Sequence, residues 1–175
     1  MTNSESPTMF NTYLKRVIAR DLKTLRAQVH AYPDENQLWE VPAGVSNSGG
    51  TIALHLIGNI RHFIGAQIGG TSYVRDRPAE FSNKNIPREE IDFRIDDAIE
   101  EISAALDQVT EDEMSATYPL AFGDVSLDTG QFLVHLTAHF AYHLGQLDYH
   151  RRLVTGMNEV VGAGQIAALV GSDER

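Results

Sequence analysis

The sequence predicts an all-α protein built as a four-helix bundle. Four segments repeat apolar residues every three or four positions, which is the spacing of one helix face. Glycine, proline and polar residues separate these segments. The chain has 175 residues, of which 42% are hydrophobic, and this fits one core. We therefore expect a single domain over residues 1–175.

The first two helices are predicted from apolar periodicity and from the residues that bound it. Helix 1 is expected from Phe10 to Tyr32, because Pro33 follows directly. Helix 2 is expected from Thr51 to about Gly69. The stretch SNS at 46–48 offers N-cap residues for it.

The third and fourth helices have clear start and stop residues. Helix 3 opens at Pro87, followed by two glutamates that suit the positive end of the helix dipole, and it reaches Val109. Helix 4 is expected from Asp128 to about Val154, with Gly156 as its stop.

Three connections are long enough to be noted. Residues 70–86 form a long crossover loop between helices 2 and 3. Residues 118–127 could contain a short extended piece, and the apolar tail from Val160 to Val170 could contain a short extra helix.

Charge, cysteine content and the length of apolar runs argue against several classes of partner, site and location. The formal net charge is −10, which disfavours nucleic acid and anionic membrane surfaces as partners. The absence of cysteine removes disulfides, thiolate metal sites and cysteine nucleophiles. The polar N-terminus lacks a signal-peptide core, and no apolar run reaches the ~18 residues of a membrane span. We expect a cytoplasmic protein.

Helix 4 carries three histidines at intervals of four: His135, His139 and His143. Residues four apart lie on one narrow face of a helix, and two neighbouring imidazoles there can hold one metal ion. His55 lies on apolar helix 2 and could meet these three histidines across the bundle interior, where metal sites often form. The alternatives are core histidines bonded to carbonyls and a solvated helix face.

The expected roles of the other polar residues around the predicted site are less specific. His62 is expected to line a pocket or to have a structural role. Asn59 could line the pocket, and Arg75 and Arg77 could hold an anionic substrate group, although solvation or ion pairing with Asp76 or Glu80 is the favoured reading of both arginines. His30 and His150 are expected at the surface or as caps, and Gly58, Gly65 and Gly69 to permit close helix packing.

Other metal and cofactor motifs are absent or accidental. No Glu-x-x-His pair and no His-Glu-x-x-His motif occurs, which disfavours a di-iron carboxylate bundle and a standard zinc protease. The GAGQIA stretch at 162–167 matches a dinucleotide-binding pattern but lacks a βαβ context.

Two stretches together resemble the DinB-like (YfiT-like) family. SNSGGTIALHLIGNIRHFIGAQIGGTSYVRDRPAEF, residues 46–81, resembles its second helix and following loop, and HLTAHFAYHLGQL, residues 135–147, resembles its fourth-helix motif. QLWE at 37–40 fits the end of its first connection. The resemblance implies a four-helix bundle with a divalent metal held by His55, His139 and His143.

The same resemblance implies further expectations. His135 occupies a position that is usually not a ligand, and Leu144 stands where many relatives have arginine. Some members of that family resemble S-transferases or isomerases that use small thiols, and others resemble metal-dependent hydrolases. A low-molecular-weight thiol is therefore a candidate cofactor beside the metal.

Three functional hypotheses remain open. The favoured one is a metal-dependent enzyme that activates a thiol or water for a small-molecule substrate, with Zn²⁺, Ni²⁺ or Fe²⁺ as candidate ions. The second is a non-catalytic metal or ligand-binding module, and the third is a purely structural histidine cluster. No catalytic residue beyond the ligands is assigned. Surplus apolar surface and the resemblance predict a homodimer.

Overall fold

The computed structural model describes residues 8–162 and 166–170, and within these ranges the chain is helical without a β-strand. The helices are α1 (Met9–His30), α2 (Glu35–Leu38), α3 (Gly49–Ile60), α4 (Arg77–Ser82), α5 (Arg88–Gln108), α6 (Glu111–Ser115) and α7 (Thr129–Thr155). A π-helix, Arg61–Ala66, directly continues α3, and a 3₁₀ turn, Ile166–Leu169, lies in the tail. The all-α prediction is therefore confirmed, and four of the helices are long.

The predicted helix ends agree with the observed ones to within a few residues. Ser48 caps α3 and Asp128 caps α7, each through its side-chain oxygen. Gly156 ends α7 in the left-handed conformation, with φ 70°. That conformation costs an L-residue with a Cβ atom more than it costs glycine.

Four long helices share one core. α1 packs against α5 and α7, and α3 packs against the same two helices. All twelve residues of α3 are buried. A helix that is apolar all round belongs in the interior, and this explains why α3 lacks the polar face that α1 and α5 have.

The crossover between α3 and α5 is more ordered than a plain loop. It contains α4, which Asp76 caps and in which Pro78 occupies the first turn. α4 packs against α3. The predicted loop at 70–86 therefore includes a short helix, and its start signals were present in the sequence.

One hydrogen bond joins the π-helix that follows α3 to the connection between α6 and α7. In the π-helix, Gln67 N donates to His62 O at 3.1 Å, so the Phe63 carbonyl loses the partner it would have in an α-helix. The Phe63 carbonyl instead accepts a hydrogen bond from Tyr118 Oη at 2.7 Å. Tyr118 belongs to the connection between α6 and α7, where the predicted extended piece consists of two isolated antiparallel bridges.

The tail beyond α7 folds back toward α1. Gln28 Nε2 donates to the Val161 carbonyl at 2.9 Å, and Thr24 Oγ1 donates to the Gly162 carbonyl at 3.1 Å. The short helix expected within 160–170 is the 3₁₀ turn, while residues 163–165 lie outside the described part of the chain. Among the described helices, none is both long enough and apolar enough to cross a bilayer.

Candidate metal centre

Three histidines from two helices converge where α3 faces α7. One ring nitrogen from each of His55, His139 and His143 lies within 4.8 Å of the other two. His55 Nε2 and His139 Nε2 are 3.3 Å apart. The structure therefore brings together the three residues that the resemblance implied.

The geometry of α7 explains why the fourth member of the pattern stays outside. Each step of four residues rotates the side chain by about 40° around the helix axis. His139 and His143 border the buried face of α7, whereas His135 is rotated farther away and is exposed. Its ring centroid lies 6.1 Å from that of His139, and it takes no part in the cluster.

A buried carboxylate orients His55. Glu80, at the middle of α4, is 6% exposed, and its Oε2 accepts a hydrogen bond from His55 Nδ1 at 3.0 Å. With the proton held on Nδ1, the lone pair of a neutral imidazole is on Nε2, which faces the cluster. Glu80 thus stands in the position of the carboxylate that commonly orients a metal-binding histidine.

Arg75 in turn holds Glu80. Its Nε and Nη2 atoms donate to the two Glu80 oxygens at 2.6 and 2.8 Å, a bidentate pair. Burial alone would raise the pKa of Glu80, but hydrogen bonds from Arg75 and His55 outweigh it and lower the pKa below its ordinary value. Glu80 is therefore a carboxylate at neutral pH and can only accept hydrogen bonds.

Gly58 makes room for this carboxylate. A Cβ atom at Gly58 would lie 2.9 Å from Glu80 Cδ and closer still to its Oε1. The Glu80 side chain can take up its position over α3 because Gly58 has no Cβ atom. The prediction that the Gly58, Gly65 and Gly69 series permits close packing is confirmed, since added Cβ atoms at Gly65 and Gly69 would meet Glu101 and Ala105 of α5.

His143 is oriented from within its own helix. Its Nδ1 lies 2.7 Å from Gln146 Oε1, three residues further along α7. With Nδ1 as the donor to that oxygen, the lone pair of His143 is also on Nε2. Two of the three imidazoles thus have one nitrogen engaged by an oxygen acceptor and the other left for a ligand.

The surroundings of His139 and His143 favour their neutral forms. Burial, followed by the neighbouring imidazoles, lowers the pKa of His139 to about 4. Burial also lowers the pKa of His143, against the opposing effect of Gln146. At neutral pH both residues are neutral imidazoles, the form that binds metals.

These observations fit a divalent ion. Two nitrogens that bind one tetrahedral Zn²⁺ at ~2.0–2.1 Å lie about 3.3 Å from each other. The distance between His55 Nε2 and His139 Nε2 is 3.3 Å. Imidazole ligands suit Zn²⁺, Ni²⁺ and Fe²⁺, so the donor set does not choose among them.

The cluster opens into a cavity of about 360 Å³. Its walls include all three histidines, together with Asn59, Phe63, Phe81 and Arg77. The volume is within the ~300–1,000 Å³ range of small-molecule sites. A small molecule therefore has room beside the histidines, and Asn59 lines that space as predicted.

The two loop arginines differ. Arg75 is paired with Glu80, which confirms the ion-pair reading of this residue. Arg77 is exposed, its guanidinium lies 5.1 Å from the centroid of the Phe81 ring, and it forms no ion pair with any residue that the structure describes. Arg77 is thus the cation at this cavity whose charge is available to a ligand.

The remaining histidines lie outside the cluster. His62 packs against Phe63, with a centroid distance of 4.8 Å, and His30 is an exposed residue that contacts Asp92. The surface prediction was wrong for His150, which is 3% exposed. Its ring accepts from Tyr32 Oη at 2.8 Å and donates to the Glu40 carbonyl at 2.9 Å, because the connection after α1 packs over this end of α7.

The family comparison covers the region that contains this site. A model described as "Protein of unknown function (DUF1572)" matches residues 8–160. The chain belongs to the DUF1572 family. The match contains α1 to α7 and every residue of the cluster. No curated protein and no solved structure is detectably similar to the chain.

For this DUF1572 member, sequence reasoning missed the two residues that orient the histidines. Gln146 could have been found, because residues three apart on a helix are neighbours. Glu80 gave no such signal, since it is 25 residues from His55 and reaches it only through the path of the crossover.

Proposed function

We propose that this DUF1572 protein is a metal-dependent enzyme whose ion is held by His55, His139 and His143. The observation that supports this most is the convergence of three imidazoles, two of them oriented by oxygen acceptors, at the wall of a cavity. We also propose that the four packed helices are a bundle of the DinB-like type. The paired helix motifs and the mutual packing of α1, α3, α5 and α7 support this.

Three protein ligands leave room for a further ligand from the cavity, as in catalytic zinc sites. An ion held by His55, His139 and His143 would act as a Lewis acid, which would lower the pKa of a water or thiol and make it a nucleophile at neutral pH. Thiol transfer is preferred to hydrolysis only because of the resemblance. The side chains around the histidines orient the ligands of the ion and limit the access of bulk water.

Each part of the site has a defined task in this proposal. Glu80 and Gln146 engage the Nδ1 atoms of His55 and His143, which leaves their Nε2 atoms for the ion. The rings of Phe63 and Phe81 form apolar walls that limit access of bulk water.

The test is metal content and activity of matched histidine variants. His143→Ala should lose the metal and all metal-dependent activity, whereas His30→Ala, the same change at an exposed histidine of α1, should keep both. Activity is measured with a panel of small thiols and electrophiles beside a panel of esters. Activity that survives both chelation and His143→Ala would rule the metal out of the reaction.

A non-catalytic binding module is the alternative, and the same measurements separate it from an enzyme. It predicts that His143→Ala loses the metal, while the wild-type holoprotein turns over nothing in either panel. The cavity beside the histidines suits a bound ligand as well as a substrate.

We further propose a homodimer that uses the outer face of α7. Val134, Tyr142, Tyr149 and Leu153 lie on that side of the helix and are 51%, 64%, 76% and 60% exposed. Exposed apolar patches of this kind commonly mark interfaces. Light scattering should report a dimer for the wild type and a monomer for Tyr149→Glu. A wild-type monomer at micromolar concentration would refute the proposal.

A further inference from the structure

A second cavity, of about 370 Å³, adjoins the three-histidine cluster. Its apolar lining, here called the side chamber, consists of Phe63, Phe122, Val125, Leu127, Phe132 and Leu136. Asn59, Phe63 and His139 line both this cavity and the one beside the cluster. The two spaces are therefore neighbours that share these three side chains.

The side chamber is suited to an aromatic guest. The Phe132 ring centroid lies 5.3 Å from that of Phe63 and 4.8 Å from that of Phe122. These rings pack against one another, and the faces and edges that they turn to the cavity can pair with a further ring in an edge-to-face or offset arrangement. A cavity of about 150 Å³ binds benzene, so the side chamber has room for a ring and a short linker.

The connection between α6 and α7 forms one wall of the side chamber. Phe122 pairs with Val125 across a turn, and Tyr118 fastens the connection to the Phe63 carbonyl. At the turn, Phe122 is 39% exposed and Val125 is 55% exposed. An apolar guest would cover these side chains, and this removal of apolar surface from water favours binding.

We propose that the side chamber binds an aromatic or compact branched apolar group of the substrate, a few bonds from the atom that reacts beside His139. This inference rests on the proposed function, because the cluster defines where the reacting atom lies. Among the lining residues, only Asn59, His135 and His139 are polar, and none is a carboxylate, a lysine or an arginine. A charged group would find no ion-pair partner there.

The test compares two metal-binding probes that differ by a phenyl ring. The full-length zinc-loaded protein is titrated calorimetrically with acetohydroxamate and with phenylacetohydroxamate. Burial of the ring should make the second compound bind about 10- to 100-fold tighter. Phe122→Ala and Val125→Asp should remove most of that ratio without changing acetohydroxamate affinity. Phe93→Ala, at an exposed position of α5 that is 69% exposed, should leave the ratio unchanged.

A second arm separates this inference from the proposed function. Metal-free protein is titrated with 2-phenylethanol, and NMR follows the methyl signals of Val125, Leu127 and Leu136, which should shift. Equal affinities for the two hydroxamates would overturn the side-chamber inference and leave the metal site standing. If neither hydroxamate binds while these methyl signals still shift, the side chamber is supported and the open metal position fails. Absence of both responses would refute both proposals.

Discussion

Replacement of Glu80 by glutamine tests how the site is oriented, because it changes charge and donor pattern but hardly changes shape. The carboxylate accepts hydrogen bonds from His55 and from two Arg75 nitrogens. A glutamine has one oxygen and one NH₂ group, so it cannot accept all of them. If its oxygen faces Arg75, its NH₂ group donates to His55 Nδ1 and moves the ring proton to Nε2. If the oxygen faces His55, the NH₂ group opposes the guanidinium.

The magnitude follows from burial. Arg75 and Glu80 side chains are 10% and 6% exposed, and loss of one partner of such a pair costs about 3–5 kcal/mol. Metal affinity should fall by about 10- to 100-fold, the usual effect of removing an outer-shell partner of a histidine ligand. Glu80→Gln should show both the loss of stability and the loss of metal affinity, because one carboxylate binds Arg75 and His55.

The assay measures Zn²⁺ affinity by competition with a chromophoric chelator and, separately, urea unfolding of the metal-free protein. Glu90→Gln is the matched control, because Glu90 forms an exposed pair with Arg94 on α5 and its loss should cost no more than about 0.5 kcal/mol. Zn²⁺ affinity is measured at a temperature well below the midpoint of thermal unfolding, and circular dichroism checks the helical content. Wild-type Zn²⁺ affinity in a folded Glu80→Gln protein would refute the orienting role.

Three further predictions use the same assays. Gly58→Ala should destabilise the protein by about 1–3 kcal/mol and weaken metal binding through displacement of Glu80, whereas Gly145→Ala, whose added Cβ meets nothing within 4 Å, should be neutral or stabilising. Removal of a metal present at a hundredfold excess over its Kd should cost about 2.7 kcal/mol and lower the Tm by about 5–10 °C; an unchanged Tm after verified metal loss would contradict this. Metal-free protein should lose stability as the pH falls from about 6.5 toward 4, because burial lowers the folded-state pKa of His139 to about 4 and lowers those of His143 and His150, so the unfolded chain binds more protons in that window; a urea midpoint that is constant over that range would contradict it.

Local patterns in the sequence were sufficient to predict the four long helices, but not the short helices α2, α4 and α6. Apolar periodicity and cap residues gave the four long helices, since both signals act within a few residues of each other. The fully buried α3 was less informative, because an apolar helix without a polar face does not show which neighbours it packs against.

The orientation of the histidines could not be predicted in the same way. The intervals of four on α7 indicated a shared face, but the 40° rotation per step separates exposed His135 from half-buried His139 only once the buried face is known. The role of Glu80 depends on where the crossover returns to α3, and the burial of His150 depends on the connection after α1. Such contacts are set by tertiary packing, which periodicity does not encode.

The buried Arg75–Glu80 pair is better explained by the histidine cluster than by stability. A buried ion pair rarely stabilises a fold more than apolar side chains of the same shape. α4 has only six residues, too few to form a stable helix alone, so tertiary contacts hold it in place. Those contacts bring Glu80 over Gly58 and within 3.0 Å of His55 Nδ1. The missing side chain at Gly58, the cap at Asp76 and the bidentate arginine all converge on the position of one carboxylate, and its third hydrogen-bond partner is the histidine whose other nitrogen faces the cluster.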